Sequence, residues 1–229
     1  MSKIRFTCPE IYRGIIPDPT PAVKCIPEYF RKLPLSHETG TPIANGTAKR
    51  CIPMLDALTQ GFIISLCEDI IVIAKDGDIN LYSEERFGFG IGTHNSEQLA
   101  NHPRWDLPYG KLLWKFINPW IVTTEKNHSC LFTGPLNHLE TRFKLMDGVV
   151  DTDTYHNQVN FPFIWTGGDG EFTLKKGTPL VQVIPFMREK YKLETGATDE
   201  RKLTRTRLNL ASIANNAYKT LFWHKRKDE

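Results

Sequence analysis

Between Gly148 and Tyr155 the chain reads Gly-Val-Val-Asp-Thr-Asp-Thr-Tyr, which brings two carboxylates, Asp151 and Asp153, and one phenol into a single short break. Such a break has two readings. The aspartates either serve a ligand or a water, or they hydrogen-bond their own turn, as aspartates commonly do. Other reactive side chains are less organised. His94 and His102 lie in a polar, proline-containing stretch (93–111) with no carboxylate or cysteine at ligand spacing, so surface histidines are expected there. The cysteines Cys8, Cys25, Cys51, Cys67 and Cys130 are odd in number and contain no Cys-x-x-Cys, which argues for a reduced compartment and against a zinc site. The run Phe87 to Gly92 (FGFGIG) lacks the Lys-Ser/Thr of a phosphate loop, and a strand edge or close backbone packing is expected. Trp105, Trp114, Trp120, Trp165 and Trp223 could stack on bases, but their scatter through strand-like runs suits core or interface packing.

Short strands must carry the carboxylates. From Asp147 to Phe186, apolar runs rich in β-branched and aromatic residues are cut by turn residues, including Gly167-Gly168-Asp169-Gly170. The same texture runs from Gly61 to Ser83, where Asp76-Gly77 tolerates the positive φ values of a tight hairpin turn. Pro119 interrupts the run LLWKFINPWIVTT, so an edge strand or bulge is expected there. Residues 54–187 therefore read as a β core. Residues 1–53 hold 8 of the 15 prolines, and an extended arm over a surface is expected, since proline removes a donor and fixes φ. The tail, 188–229, departs from this pattern. Thr198 can cap a helix, and Leu203, Leu210, Ala214, Ala217 and Leu221 form one stripe, predicting a single amphipathic helix over about 199–223.

Totals narrow the class. A chain of 229 residues with 40% apolar and 24% charged residues can bury a sizeable core, and no apolar run approaches the roughly 18 residues of a membrane span. The opening MSKIRFTCPE has no apolar stretch of signal-peptide type. The net charge of +3 is unevenly placed: Met187 to Glu229 hold 11 Lys and Arg against 6 Asp and Glu, a net of +5, which leaves −2 for the rest. Nucleic acid could meet that basic tail, though no base-reading motif is present.

From Trp114 to Pro185 the chain resembles the deoxyuridine triphosphatase and dCTP deaminase family. The resemblance rests on Gly148-Val149-Val150-Asp151-Thr152-Asp153 and on Lys176-Gly177-Thr178-Pro179-Leu180-Val181-Gln182-Val183-Ile184. It implies a β-barrel or sandwich in which Asp151 orients a water and contacts a deoxyribose, with Asp153 beside it and Tyr155 stacking on the sugar. It also implies nucleotide contacts at Asn137, Gly148 and Gln182, and Mg as the one cofactor such an enzyme would use. Several positions depart from the family. Thr154 intervenes before Tyr155, His156-Asn157 replace a glycine, and Thr133-Gly134-Pro135-Leu136-Asn137 lacks the arginine-serine pair of the phosphate loop. A basic helix stands where the family has a glycine-rich arm. The whole chain also resembles a group of proteins encoded by large tailed phages, through Cys51 to Ile64 and the closing Gly177-Thr-Pro179-Leu-Val-Gln182-Val-Ile184-Pro185-Phe186.

Phosphate chemistry needs donors, cations or a metal to hold charge in the transition state. With those groups missing from the motif, the expectation is a non-catalytic, homo-oligomeric phage protein with a structural or assembly role. It would need no cofactor or metal, would avoid the membrane, and would sit in the host cytoplasm or the virion with copies of itself and other structural proteins. The competing expectation is a nucleotide binder or hydrolase using Asp151, Asp153 and Tyr155.

Overall fold

A computed structural model describes residues 2–36, 46–83, 90–99, 101–103, 108–109, 113–213 and 216–224. Trp105, Ala214, residues 87–89 of the FGFGIG run and the closing Lys225-Arg226-Lys227 fall outside these residues. The strands are β1 (Ile4–Thr7), β2 (Thr20–Pro21), β3 (Phe62–Ser65), β4 (Ile70–Lys75), β5 (Asp78–Ser83), β6 (Ile91–His94) and β7 (Leu113–Phe116). They continue with β8 (Ile121–Thr124), β9 (His128–Thr133), β10 (Phe143–Leu145), β11 (Gly148–Val150), β12 (Phe161–Trp165), β13 (Gly170–Leu174) and β14 (Pro179–Met187). The helices are α1 (Glu28–Lys32), α2 (Ile52–Thr59), α3 (Glu200–Ser212) and α4 (Ala217–Leu221). The chain is mainly β.

All pairings between these strands are antiparallel, in the orders β11-β9-β14-β3-β2, β10-β12-β7-β6, β13-β4-β5 and β1-β8. Packed sheets are therefore found, and among the described residues none closes into a barrel. Alternation decides which side chains enter the core: along β4, Ile70, Val72 and Ala74 are buried while Ile71 and Ile73 face outward. Phe116, Phe143 and Phe163 from three neighbouring strands meet in the interior, with Phe116 and Phe163 stacked at 4.1 Å between centroids. The β4–β5 hairpin turns through Asp76 (φ 52) and Gly77 (φ 88), as the Asp-Gly pair predicts. Of the two outcomes expected at Pro119, an edge strand is found and a bulge is not: β8 has β1 as its one strand partner among the described residues. Pro119 lies in a break that ends β7 and sends the chain to a different sheet as β8.

Two further expectations are corrected. The proline-rich segment is not extended throughout: β1 pairs with β8, β2 pairs with β3 at a sheet edge, and Glu28–Lys32 is a short helical turn. Its prolines still confine the pairing to an edge. The tail carries two helices in place of one. Ile213 is extended (φ −112, ψ 109) and Asn216 is left-handed (φ 62), so the helix ends before α4 begins. Its cap is Asp199, which accepts from the N–H groups of Arg201 and Lys202, one position beyond Thr198.

The chain forms two compact units, Met1–Ile26 with Leu58–Arg188, and Pro27–Ala57 with Glu189–Glu229. The first contains the sheets. In the second, the Trp223 indole N–H donates to the Asp56 carboxylate at 3.1 and 3.2 Å, and Lys49 donates to the Arg31 carbonyl at 2.6 Å. Glu189 to Asp199 have no regular structure and are exposed, and no residue of α3 is buried. Among the described residues no helix is long and apolar enough to cross a membrane.

Candidate functional site

Residues 151–155 leave β11 and turn back on themselves, because the N–H groups of Thr154 and Tyr155 both donate to the Asp151 carbonyl at 3.0 and 2.9 Å. Thr152 anchors the segment from within. Its side chain is buried, bonds the Thr124 hydroxyl at 2.8 Å and donates to Cys130 Sγ at 3.3 Å. With Thr152 turned inward, its neighbours Asp151 and Asp153 turn outward.

There they meet Arg188, the residue after β14. Its guanidinium makes a bidentate pair with Asp153 at 2.8 and 2.6 Å and reaches Asp151 Oδ1 at 3.2 Å. Nη1 also donates to Ser129 Oγ at 3.1 Å, and Ser129 in turn donates to Asp151 Oδ1 at 2.7 Å. Asp153 is closed off: its side chain is 4% exposed and also accepts from the Asn127 N–H at 2.9 Å. The Arg188 guanidinium holds its carboxyl well below the usual carboxylate range, at about 2. Asp151 is the open member of the pair, with its side chain 60% exposed.

Asp151 borders a cleft of about 670 Å³ lined by His94, Val149, Tyr155, Gln158 and Asn160 among others. Tyr155 is 45% exposed, so its ring is available to a planar or sugar-like partner. Part of the polar lining is committed already: Asn160 Oδ1 accepts from the Asn118 N–H, and Gln158 Nε2 donates to the Pro119 carbonyl. A second, apolar pocket of about 390 Å³ shares His94, Val159 and Asn160 with the first and is floored by Leu113, Phe132 and Phe161. Neither lining includes a lysine or arginine among the described residues. The arrangement can bind a hydroxylated, planar molecule; among the described residues, the nearest guanidinium, Arg188, is engaged by Asp153 and Asp151.

The residues singled out from sequence do not converge on one point. Asp151, Tyr155 and Gly148 border the two adjoining pockets, with Gly148 on the apolar one. Asn137 sits in a left-handed turn (φ 58) after β9 and lines a separate pocket of about 430 Å³. Gln182 is fully buried, accepting from the Leu136 N–H at 2.8 Å and donating to the Gln60 carbonyl at 2.6 Å. No site signal marks Ser129, Arg188 or Asn160 in the sequence, and His94, expected as a surface histidine, lines both pockets. Each comes from a different strand or loop, and the only local cue is that Arg188 ends the apolar run of β14 with a cation.

A divalent ion does not suit the aspartate pair, since Asp153 is already neutralised by Arg188. Among the described residues no group of three or more His, Cys, Asp or Glu is placed to hold a metal. No protein-family model and no curated protein matches the chain. Among solved structures, the chain is similar to a mutant dUTPase from phage phi11 of S. aureus, a structure concerned with coordination of a structural Mg(II) ion. The identity is 12% over 72% of this chain and 95% of that one, with a TM-score of 0.35. It is also similar to a mutant dUTPase of Staphylococcus bacteriophage 80alpha with dUpNHpp, at 9% identity over 86% of this chain and 90% of that one, with a TM-score of 0.40. At these scores neither likeness bears on this chain's ligand or reaction.

Proposed function

We propose that the chain is a non-catalytic, homo-oligomeric protein with a structural or assembly role in a tailed phage, its β body acting as scaffold and its C-terminal arm joining subunits. The observation that carries this reading is the arm itself. Tyr191 and Leu193 are 86% and 88% exposed on a segment without regular structure. Leaving two large apolar side chains in water forgoes about 1.5–3 kcal/mol for each. A neighbouring copy supplies the missing surface. The sequence resemblance to tailed-phage proteins supports the setting. Light scattering after size exclusion tests the reading: the full chain should run as an oligomer without added ligand, and the double variant Tyr191→Ser/Leu193→Ser should run as a smaller species. A full chain that is monomeric at every concentration would overturn it.

A second reading is favoured by Asp151 and Tyr155, which flank an open cleft. It makes the protein a binder of deoxynucleosides or their phosphates. A deoxynucleotide panel should then raise the melting temperature, and Asp151→Asn should abolish that rise. A flat response across the panel removes this reading and leaves the first intact.

A further inference from the structure

The two sides of α3 differ in chemistry. Leu203 and Thr206 are half-buried and mark the inner side, while Arg201, Lys202, Arg205, Arg207 and Asn209 are exposed. None of the four cations has an ion-pair partner among the described residues. Arg201 and Arg205 lie one turn apart and flank a shallow groove of about 500 Å³ that runs along the helix past Thr204 and Asn209. Glu200 closes the groove at its N-terminal end, where an acidic side chain suits the helix dipole, and Leu208 lies on its floor.

We propose that this face of α3 binds the phosphate backbone of duplex DNA. The charge pattern decides between partners. A helix that lies on a lipid surface needs a broad apolar face, and here Leu208 is the sole apolar residue lining the groove. An acidic protein presents scattered carboxylates, whereas duplex DNA presents a regular line of charge, about one per 1.7 Å of axis. The four cations lie between Arg201 and Arg207, about 9 Å along the helix axis, and match a stretch of that regular line. The contacts hold the backbone and read no bases, consistent with the absence of a base-reading motif. This activity is additional to subunit assembly, which uses Tyr191 and Leu193 on a separate segment.

The test measures fluorescence anisotropy of a labelled 20-bp duplex with the full chain between 50 and 200 mM KCl. Contacts by Arg201, Lys202 and Arg205 give a log–log salt slope of about −2.7 and a roughly 40-fold loss of affinity over that range. The triple variant Arg201→Ala/Lys202→Ala/Arg205→Ala should lose most of that slope while keeping its helical circular dichroism, because alanine is the strongest helix former. Arg201→Lys/Arg205→Lys should bind as the parent does, since a backbone phosphate accepts a point charge. The proposal is overturned by absence of binding at 50 mM, by an unchanged slope in a triple variant that keeps its helix, or by poly-glutamate competing as well as unlabelled duplex.

Discussion

Arg188 gives two aspartates of one short segment opposite fates. Asp153 is consumed by a bidentate pair, and Asp151 keeps most of its surface. Pairing depresses the folded-state value of Asp153 to about 2, against about 3.9 for an unfolded aspartate. Its contribution to stability is therefore complete above about pH 4 and is lost as the pH falls toward 2. Thermal melts of the parent and Asp153→Asn should differ at pH 7 and converge as the pH is lowered through that window; a constant gap would show that the pair does not govern stability. Gln182 makes a second case. Its amide satisfies two backbone groups inside the sheet, so Gln182→Ala should cost about 2–4 kcal/mol by denaturant titration, from a cavity plus unpaired buried partners. In the sequence Gln182 stands out as one polar residue within an apolar strand. Its role was hidden because its partners lie 46 and 122 residues away.

Elements legible in the sequence were those whose cause is local. The Asp76-Gly77 turn declares itself because few residues tolerate two successive positive φ values. Gly61 carries the same sign of φ (+69) with no such signature, and only the folded sheet shows why it is glycine: an added Cβ would meet the Val183 carbonyl oxygen at 2.1 Å. Gly77 has open space around the same position. Gly77→Ala should thus cost about 1 kcal/mol from backbone strain alone. Gly61→Ala should cost several times more and disturb the β3–β14 pairing, which hydrogen exchange of the Phe62–Ile64 amides would register. Equal losses for the two variants would refute the distinction. The tail helix was recognisable from its leucine spacing. Its early end was not, because Asn216 adopts a left-handed conformation that its moderate helix propensity does not announce.

At the scale of the molecule, charge and exposure separate a slightly acidic β body from a basic tail that buries little. Exposed backbone without regular structure is where proteases cut first. Trypsin should therefore cleave at Lys190 or Lys192 in dilute protein and leave a β-rich fragment ending nearby. Raising the concentration should protect these bonds if a second copy covers the arm; cleavage independent of concentration would count against that coverage.

The guanidinium at residue 188 also sets a length. It pins the end of β14, and the ten residues from Glu189 to Thr198 can span at most about 33–36 Å before α3 starts. In the proposed assembly, the surface that receives Tyr191 and Leu193 must lie within about 17–18 Å of Arg188, the reach of the five residues from Glu189 to Leu193. Glycine insertions between Glu189 and Lys190 would lengthen the tether ahead of Tyr191 and Leu193, and in the proposed assembly would change subunit spacing without altering the contact residues.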